Sequence, residues 1–158
     1  FRWVAEPCYT LVMQHIIVPA VCLLLECEGE WFVGHRQNTG FCDGCLNMPA
    51  GHIDPDETPR EAAVREAKEE AGVDVSPDDI EFVHIQYNRN VEERHDRTHY
   101  YFKIDSCDLE PKNMEPHKCS EVMWIPAFSQ LDDFIPFVGE ALRAIEQGQT
   151  YSEFFEGK

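Results

Sequence analysis

The chain has 158 residues, of which 43% are hydrophobic, and this length and composition predict one globular domain with a buried core. Its 30 acidic and 13 basic side chains give a formal net charge of −17 at pH 7. This charge disfavours nucleic-acid polymers and anionic membranes as partners, because both carry dense negative charge. No apolar run approaches the length of a membrane-spanning helix.

Hydrophobic periodicity predicts five strands and two helices along the chain. Residues 16–27 read as a buried strand, and residues 31–37 read as its hairpin partner after a turn at Gly29. A polar loop rich in Gly and Asn covers residues 38–47. The later predicted elements are a helix over 59–71, strands over 80–87, 98–105 and 121–125, and a helix over 136–147, with polar loops over 88–97 and 107–120. This order favours a mixed sheet between helices.

The cysteines indicate a reducing compartment. There are seven, an odd number, in a chain large enough to fold without disulfides, so we expect reduced thiols in a cytoplasmic protein. Cys42 and Cys45 form a lone Cys-x-x-Cys pair, for which half a zinc site or a redox pair is the alternative to ordinary loop thiols. The sequence begins with Phe1 and not with Met, so an upstream targeting segment stays open.

The helix predicted over 59–71 has marked ends. Thr58 and Glu61 have the spacing of a capping box, and Pro59 occupies the first helical position. Gly72 is the predicted stop, since glycine readily adopts the left-handed conformation that ends helices. The residues between these signals therefore share defined helical faces.

Three carboxylates crowd one face of this helix. Glu66, Glu69 and Glu70 stand at positions i, i+3 and i+4, which are neighbours on a helix surface. Like charges at this spacing repel one another, and a hard divalent cation such as Mg²⁺ relieves that repulsion because it prefers carboxylate oxygens. The pattern favours a metal site, with an ordinary acidic surface helix as the alternative.

Residues 51–73 place these carboxylates in a longer motif. Its fixed charged and glycine positions are Gly51, Glu57, Arg65, Glu66, Glu69, Glu70 and Gly72. Their spacing resembles the Nudix box of the Nudix hydrolases, Gly-x5-Glu-x7-Arg-Glu-U-x-Glu-Glu-x-Gly-U, in which U is apolar. Every fixed position matches, although Ala67 is small for the first apolar position. The resemblance implies the α/β/α Nudix fold, as a single domain over 1–158 with its core at about 15–147.

The resemblance also implies roles for the box residues. Its metal-binding positions correspond to Gly51, through the carbonyl oxygen, and to Glu66, Glu69 and Glu70. Glu57 and Arg65 match the family's structural ion pair, and Glu69 or Glu70 is the candidate general base. The implied cofactor is Mg²⁺, with Mn²⁺ as an alternative, and the bound ion would activate water against a phosphorus atom.

A second segment bears on the substrate. Residues 109–119 resemble the Glu-Pro-Lys-Asn-x-Glu-Pro-Glu-Lys stretch of MutT-like Nudix members, with His117 where those relatives carry Glu. Those relatives are linked to nucleoside triphosphates, including oxidised or otherwise altered ones, and some plant members to other diphosphates. The implied function is therefore metal-dependent hydrolysis of a nucleoside diphosphate linked to another moiety, most simply a triphosphate to the monophosphate and pyrophosphate. The alternatives are an ADP-ribose or nucleotide-sugar pyrophosphatase and, from another class, a catalytically silent Nudix-fold ligand sensor.

Three further residues are candidate contacts of a small-molecule nucleotide. Arg36 ends the second predicted strand and could bind a phosphate, unless it is an ordinary surface arginine. Trp124 could stack on a base, although aromatic residues on strands usually belong to the core. Glu115, or alternatively Glu110, could add a carboxylate to the metal, unless this is a solvated acidic loop. A monomer and a homodimer are both compatible with the sequence.

Overall fold

The computed structural model describes residues 15–90 and 95–156. In the described residues four strands precede the first helix, three lie between the two helices and one follows the second, with two short 3-10 turns at 77–79 and 131–133. The elements in chain order are β1 (Ile17–Cys27), β2 (Glu30–Arg36), β3 (Leu46–Asn47), β4 (Ala50–His52), α1 (Pro59–Ala71), β5 (Ile80–Asn90), β6 (Asp96–Asp105), β7 (Cys119–Pro126), α2 (Pro136–Glu146) and β8 (Tyr151–Glu156).

In the described part of the chain the strands form one mixed sheet. Its order is β3-β2-β1-β6-β5-β8, with β4 also paired to β1 and β7 also paired to β2. The β1–β6 and β5–β8 pairs are parallel, and the other pairs are antiparallel. Successive side chains of a strand point to opposite faces, and in β1 Val21 and Leu23 pack with α1 while Cys22 and Leu24 pack with α2. The predicted mixed sheet between helices is confirmed.

Both predicted helices form where their signals lie. The Thr58 hydroxyl accepts a hydrogen bond from the Glu61 backbone N–H, and the Glu61 carboxylate accepts one from the Thr58 N–H, which completes the capping box. Gly72 ends α1 with a φ of 69° and donates its N–H to carbonyl oxygens of the last turn. No helix within residues 15–90 and 95–156 has the length and apolar content needed to span a bilayer.

The strands depart from the sequence prediction where polar residues are buried. The predicted loop over 88–97 is shorter, because β5 continues to Asn90 and β6 begins at Asp96, while residues 91–94 lie outside the described residues. Gln86 and Asn88 are buried in β5 and interrupt its hydrophobic alternation. The sequence does not predict β3 or β4, which have two and three residues, or β8, which depends on its parallel pairing with β5.

The expectation that all cysteines are reduced is wrong for one pair. Cys27 and Cys107 form a disulfide, with 4.7 Å between their Cα atoms. The parallel pairing of β1 with β6 places Glu26 beside Asp105, so the residues that follow these strand ends meet. Cys42 and Cys45 are partly buried and pack against the core on the α2 side of the sheet.

Candidate active site

A cleft of about 770 Å³ lies between α1, β2, β4 and the segment 113–119. The cleft brings together most of the residues that the sequence singles out. Those in its lining are Arg36, Gly51, Arg65, Glu66, Glu69, Glu70 and Glu115. Glu57 lies behind Arg65, and Trp124 lies on β7 outside the lining.

Gly51 allows the closest approach in this cleft. It pairs with Val21 of β1, which fixes β4 against the middle of the sheet. A Cβ atom at this position would overlap the Glu66 carboxylate, so any other residue here would displace that carboxylate from its present position. Glu66 lies directly against the Gly51 backbone and is only 7% exposed.

Arg65 connects the loop before α1 to the helix carboxylates. Its Nε and Nη2 atoms each lie 2.9 Å from a different oxygen of Glu57, which makes a bidentate pair, and Nη2 also donates to the His52 carbonyl at 2.8 Å. Its Nη1 donates to Glu66 at 2.6 Å and to Glu69 at 3.2 Å. The guanidinium holds the pKa of Glu57 below its ordinary value, chiefly by hydrogen bonding. Arg65 thus fixes the direction of two candidate ligands.

Glu70 is the least compensated carboxylate of the cleft. Burial raises its pKa to about 8, and the charges of Glu66 and Glu115 add to the rise. The Ala50 backbone N–H donates to Glu70 Oε2 at 2.8 Å, which partly offsets the cost of burying this charge. Burial also raises the pKa of Glu66, although Arg65 opposes that change. A cation in the cleft would therefore stabilise the ionised form of both carboxylates.

The segment 112–115 is attached to the end of α1. The Lys112 N–H donates to the Ala71 carbonyl at 2.9 Å, and the Met114 N–H donates to the Glu70 carbonyl at 3.2 Å. These bonds place Glu115 in the cleft, where its Oε1 lies 2.7 Å from the Lys118 Nζ.

Glu110, the other acidic residue that the sequence offers in this loop, takes a different position. Its side chain is 88% exposed and lies 3.5 Å from the Lys112 Nζ. It is not part of the cleft lining. The structure thus separates two carboxylates that the sequence could not rank.

The two candidate substrate contacts on strands differ in position. Arg36 lines the cleft, where its Nε donates to the Phe41 carbonyl and its Nη2 to the Thr39 hydroxyl, both at 3.1 Å. The Trp124 ring meets the Phe32 ring edge to face, with 5.7 Å between centroids. Phe32 lines the cleft, and Trp124 lies beside it on the paired strand β7 without entering the lining.

Sequence reasoning did not identify Asn47 as a functional residue. It ends β3 and lines the cleft, and its Oδ1 is buried without a hydrogen-bond partner among the described residues. A buried acceptor of this kind favours a donor on a bound molecule. No signal in the sequence distinguishes Asn47 from its neighbours in the loop.

The donor set fits a hard divalent cation. Carboxylate and carbonyl oxygens are the ligands that Mg²⁺ prefers. The Glu66 carboxylate lies directly against Gly51, whose carbonyl is the other oxygen donor that the motif implies. Across residues 15–90 and 95–156, no three His, Cys, Asp or Glu side chains converge on one point. Basic groups hold some of the carboxylates instead, Arg65 at Glu66 and Lys118 at Glu115.

Comparison with protein families gives the assignment. Residues 15–142 match the model of the NUDIX domain. The chain belongs to the Nudix family. It is therefore a Nudix hydrolase, an enzyme of the class that cleaves pyrophosphate bonds in nucleotide-linked substrates.

Relatives of this Nudix hydrolase include a curated bacterial protein and several solved structures. It is 28% identical to the phosphatase NudJ of Escherichia coli K12 over 137 residues, which are 83% of this chain and 84% of NudJ. A MutT NUDIX hydrolase from Burkholderia pseudomallei superimposes with a TM-score of 0.67 at 20% identity, covering 83% of this chain and 97% of that one. The NUDIX domain of Shewanella oneidensis NrtR, solved with ADP ribose, has a TM-score of 0.61 at 20% identity, with coverages of 85% and 86%. Both structures share the α/β Nudix fold.

Proposed function

We propose that this chain hydrolyses a nucleoside triphosphate, including oxidised forms, to the monophosphate and pyrophosphate with a divalent metal ion. The observation that carries the proposal is that Glu66, Glu69, Glu70 and Glu115 line one cleft beside Gly51. Four carboxylates around one cleft are suited to a polyphosphate only when cations reverse the local charge. Metal dependence is thus part of the proposal.

Mg²⁺, or Mn²⁺, would be held by the three box carboxylates and the Gly51 carbonyl. When bound, it neutralises phosphate charge and lowers the pKa of an attacking water. Arg65 holds Glu66 and Glu69 in position through its hydrogen bonds to both. Either Glu69 or Glu70 accepts the proton of that water, and Glu69 is the more accessible, with 59% of its side chain exposed.

The remaining lining residues are suited to the two ends of a nucleotide. Arg36 supplies a guanidinium at the end of β2, which matches a phosphate oxygen. Asn47 offers an unpaired acceptor to a donor group of the nucleoside. Glu115 adds a carboxylate from outside the box for the metal.

A second candidate substrate is ADP-ribose or a nucleotide sugar. The support is the NrtR domain solved with ADP ribose, which shares this fold. The sensor alternative has less support, because the complete set of box carboxylates lies in the cleft.

A cytoplasmic location stays a prediction, and the Cys27–Cys107 disulfide does not support it. Light scattering would separate the monomer from the homodimer.

The test is product release across a panel of nucleoside triphosphates, oxidised deoxynucleoside triphosphates, ADP-ribose and nucleotide sugars, with Mg²⁺ and with a chelator. We expect Mg²⁺-dependent release of pyrophosphate from a triphosphate. Glu69→Gln and Glu70→Gln should each lower kcat by about 100-fold or more. The exposed β5 variant Glu81→Gln removes the same charge outside the cleft and should leave kcat unchanged. Turnover of ADP-ribose alone would establish the second candidate, and turnover in the chelator would refute metal dependence.

A further inference from the structure

Lys118 is a basic residue of the cleft that lies outside the Nudix box. Its backbone is fixed on two sides, since its N–H donates to the Glu115 carbonyl at 2.9 Å and its carbonyl accepts from the Gln37 N–H at 2.7 Å. The turn over 115–118 is therefore held against the strand end at Gln37. Only the side chain of Lys118 is free to change direction.

The Lys118 ammonium pairs with a candidate metal ligand. Its Nζ lies 2.7 Å from Glu115 Oε1, and the side chains of Lys118 and Glu115 are 53% and 25% exposed. The ammonium also feels the negative charges of Glu66 and Glu70 across the cleft. Lys118 thus acts as a built-in counter-ion for carboxylates that a divalent cation would also use.

We propose that Lys118 competes with the divalent ion for Glu115 and so sets the metal affinity of the cleft, an inference that rests on the proposed metal-dependent function. An ammonium and a divalent cation at one carboxylate repel each other, so Glu115 cannot bind both at full strength. The flexible stem of lysine lets the ammonium swing away when the ion binds, at the cost of the Glu115 pair. Lys118 is a positioning residue in this account.

Lys112 provides a matched control in the same segment. It pairs with Glu110 at 3.5 Å, and both side chains are largely exposed, at 69% and 88%. It is absent from the cleft lining. Replacing either lysine by methionine changes the net charge of the protein equally, so a general charge effect should be the same for both variants.

The test is Mn²⁺ binding to the whole chain without nucleotide, measured by calorimetry and by water-proton relaxation. Lys118→Met should tighten Mn²⁺ binding about tenfold, which corresponds to about 1.4 kcal/mol, and Lys112→Met less than threefold. In a Glu115→Gln background, Lys118→Met should have little further effect, since the shared ligand is gone. Circular dichroism would check the fold, and Lys118→Gln would serve if the methionine variant does not fold.

Three results would overturn the inference. Equal Mn²⁺ affinities for Lys118→Met and Lys112→Met would show that only the general charge matters. Weaker binding by a folded Lys118→Met would show that the lysine supports the metal site. A wild-type protein that binds no Mn²⁺ would refute both the metal-dependent function and this inference. The first two results would refute only the role of Lys118, because the wild type would still bind the ion.

Discussion

Replacing Glu70 by glutamine should stabilise the protein at alkaline pH in the absence of divalent ions. Glutamine keeps the oxygen that accepts from the Ala50 N–H at 2.8 Å, but it removes the charge that faces Glu66 and Glu115. The cost of that charge appears as the pKa of Glu70, which is raised from 4.5 to about 8, first by burial. Between about pH 4.5 and pH 8 the folded protein therefore binds a proton here that the unfolded chain has already lost, and above pH 8 the folded protein must hold the buried charge.

The sign and the size of the effect follow from this difference. A raised pKa in the folded state means that the contribution of Glu70 to stability is present below about pH 4.5 and is lost as the pH rises to about 8. The two values correspond to about 5 kcal/mol at about 1.4 kcal/mol per pKa unit. Water in the open cleft screens the charge, and we expect about 1–2 kcal/mol to remain.

Urea unfolding at pH 4 and at pH 8.5 in chelator measures this difference directly. Glu70→Gln should match the wild type at pH 4 and exceed it at pH 8.5, and millimolar Mg²⁺ should stabilise the wild type more than the variant. Glu81→Gln, on an exposed position of β5, controls for net charge. A stability difference that does not change with pH, or a variant that is less stable at pH 8.5, would refute the reasoning.

Other substitutions test separate parts of the structure. Cys107→Ser should lower the free energy of unfolding by about 4 kcal/mol, because the disulfide to Cys27 closes a loop between residues 80 apart. If the urea midpoint of the wild type does not change when reductant is added, this prediction is wrong. Gly51→Ala should weaken Mn²⁺ binding at least about tenfold in calorimetry, because the new methyl group displaces a helix carboxylate; unchanged affinity would remove the role of this glycine. Arg65→Lys should cost about 2–3 kcal/mol in urea unfolding, because lysine cannot donate to both oxygens of Glu57; a loss below about 0.5 kcal/mol would count against the clamp.

Sequence reasoning succeeds for α1 because all its determinants are local. The capping residues Thr58 and Glu61, the stop at Gly72 and the carboxylate spacing lie within about four helical turns. Each signal acts on its near neighbours, so no knowledge of the rest of the fold is needed. The sequence alone therefore predicts both the carboxylate motif and the bounds of α1.

Features that depend on distant contacts are missed for the opposite reason. The disulfide joins Cys27 to Cys107, and β8 exists only through pairing with β5. Glu110 and Glu115 have the same chemistry and neighbouring prolines, and only the attachment of the loop to α1 decides which one enters the cleft. Pairing across the sheet has no counterpart in short-range sequence patterns.

The attachment of segment 112–115 to the carbonyls of Glu70 and Ala71 limits how this enzyme can be re-engineered. A loop grafted from a relative with a different substrate would have to supply the same two N–H donors, or it would leave the last turn of the helix without its partners. Chimeras should therefore exchange residues 68–72 and 109–119 as one cassette. Transplanting the loop alone would alter the carboxylate geometry together with the intended specificity.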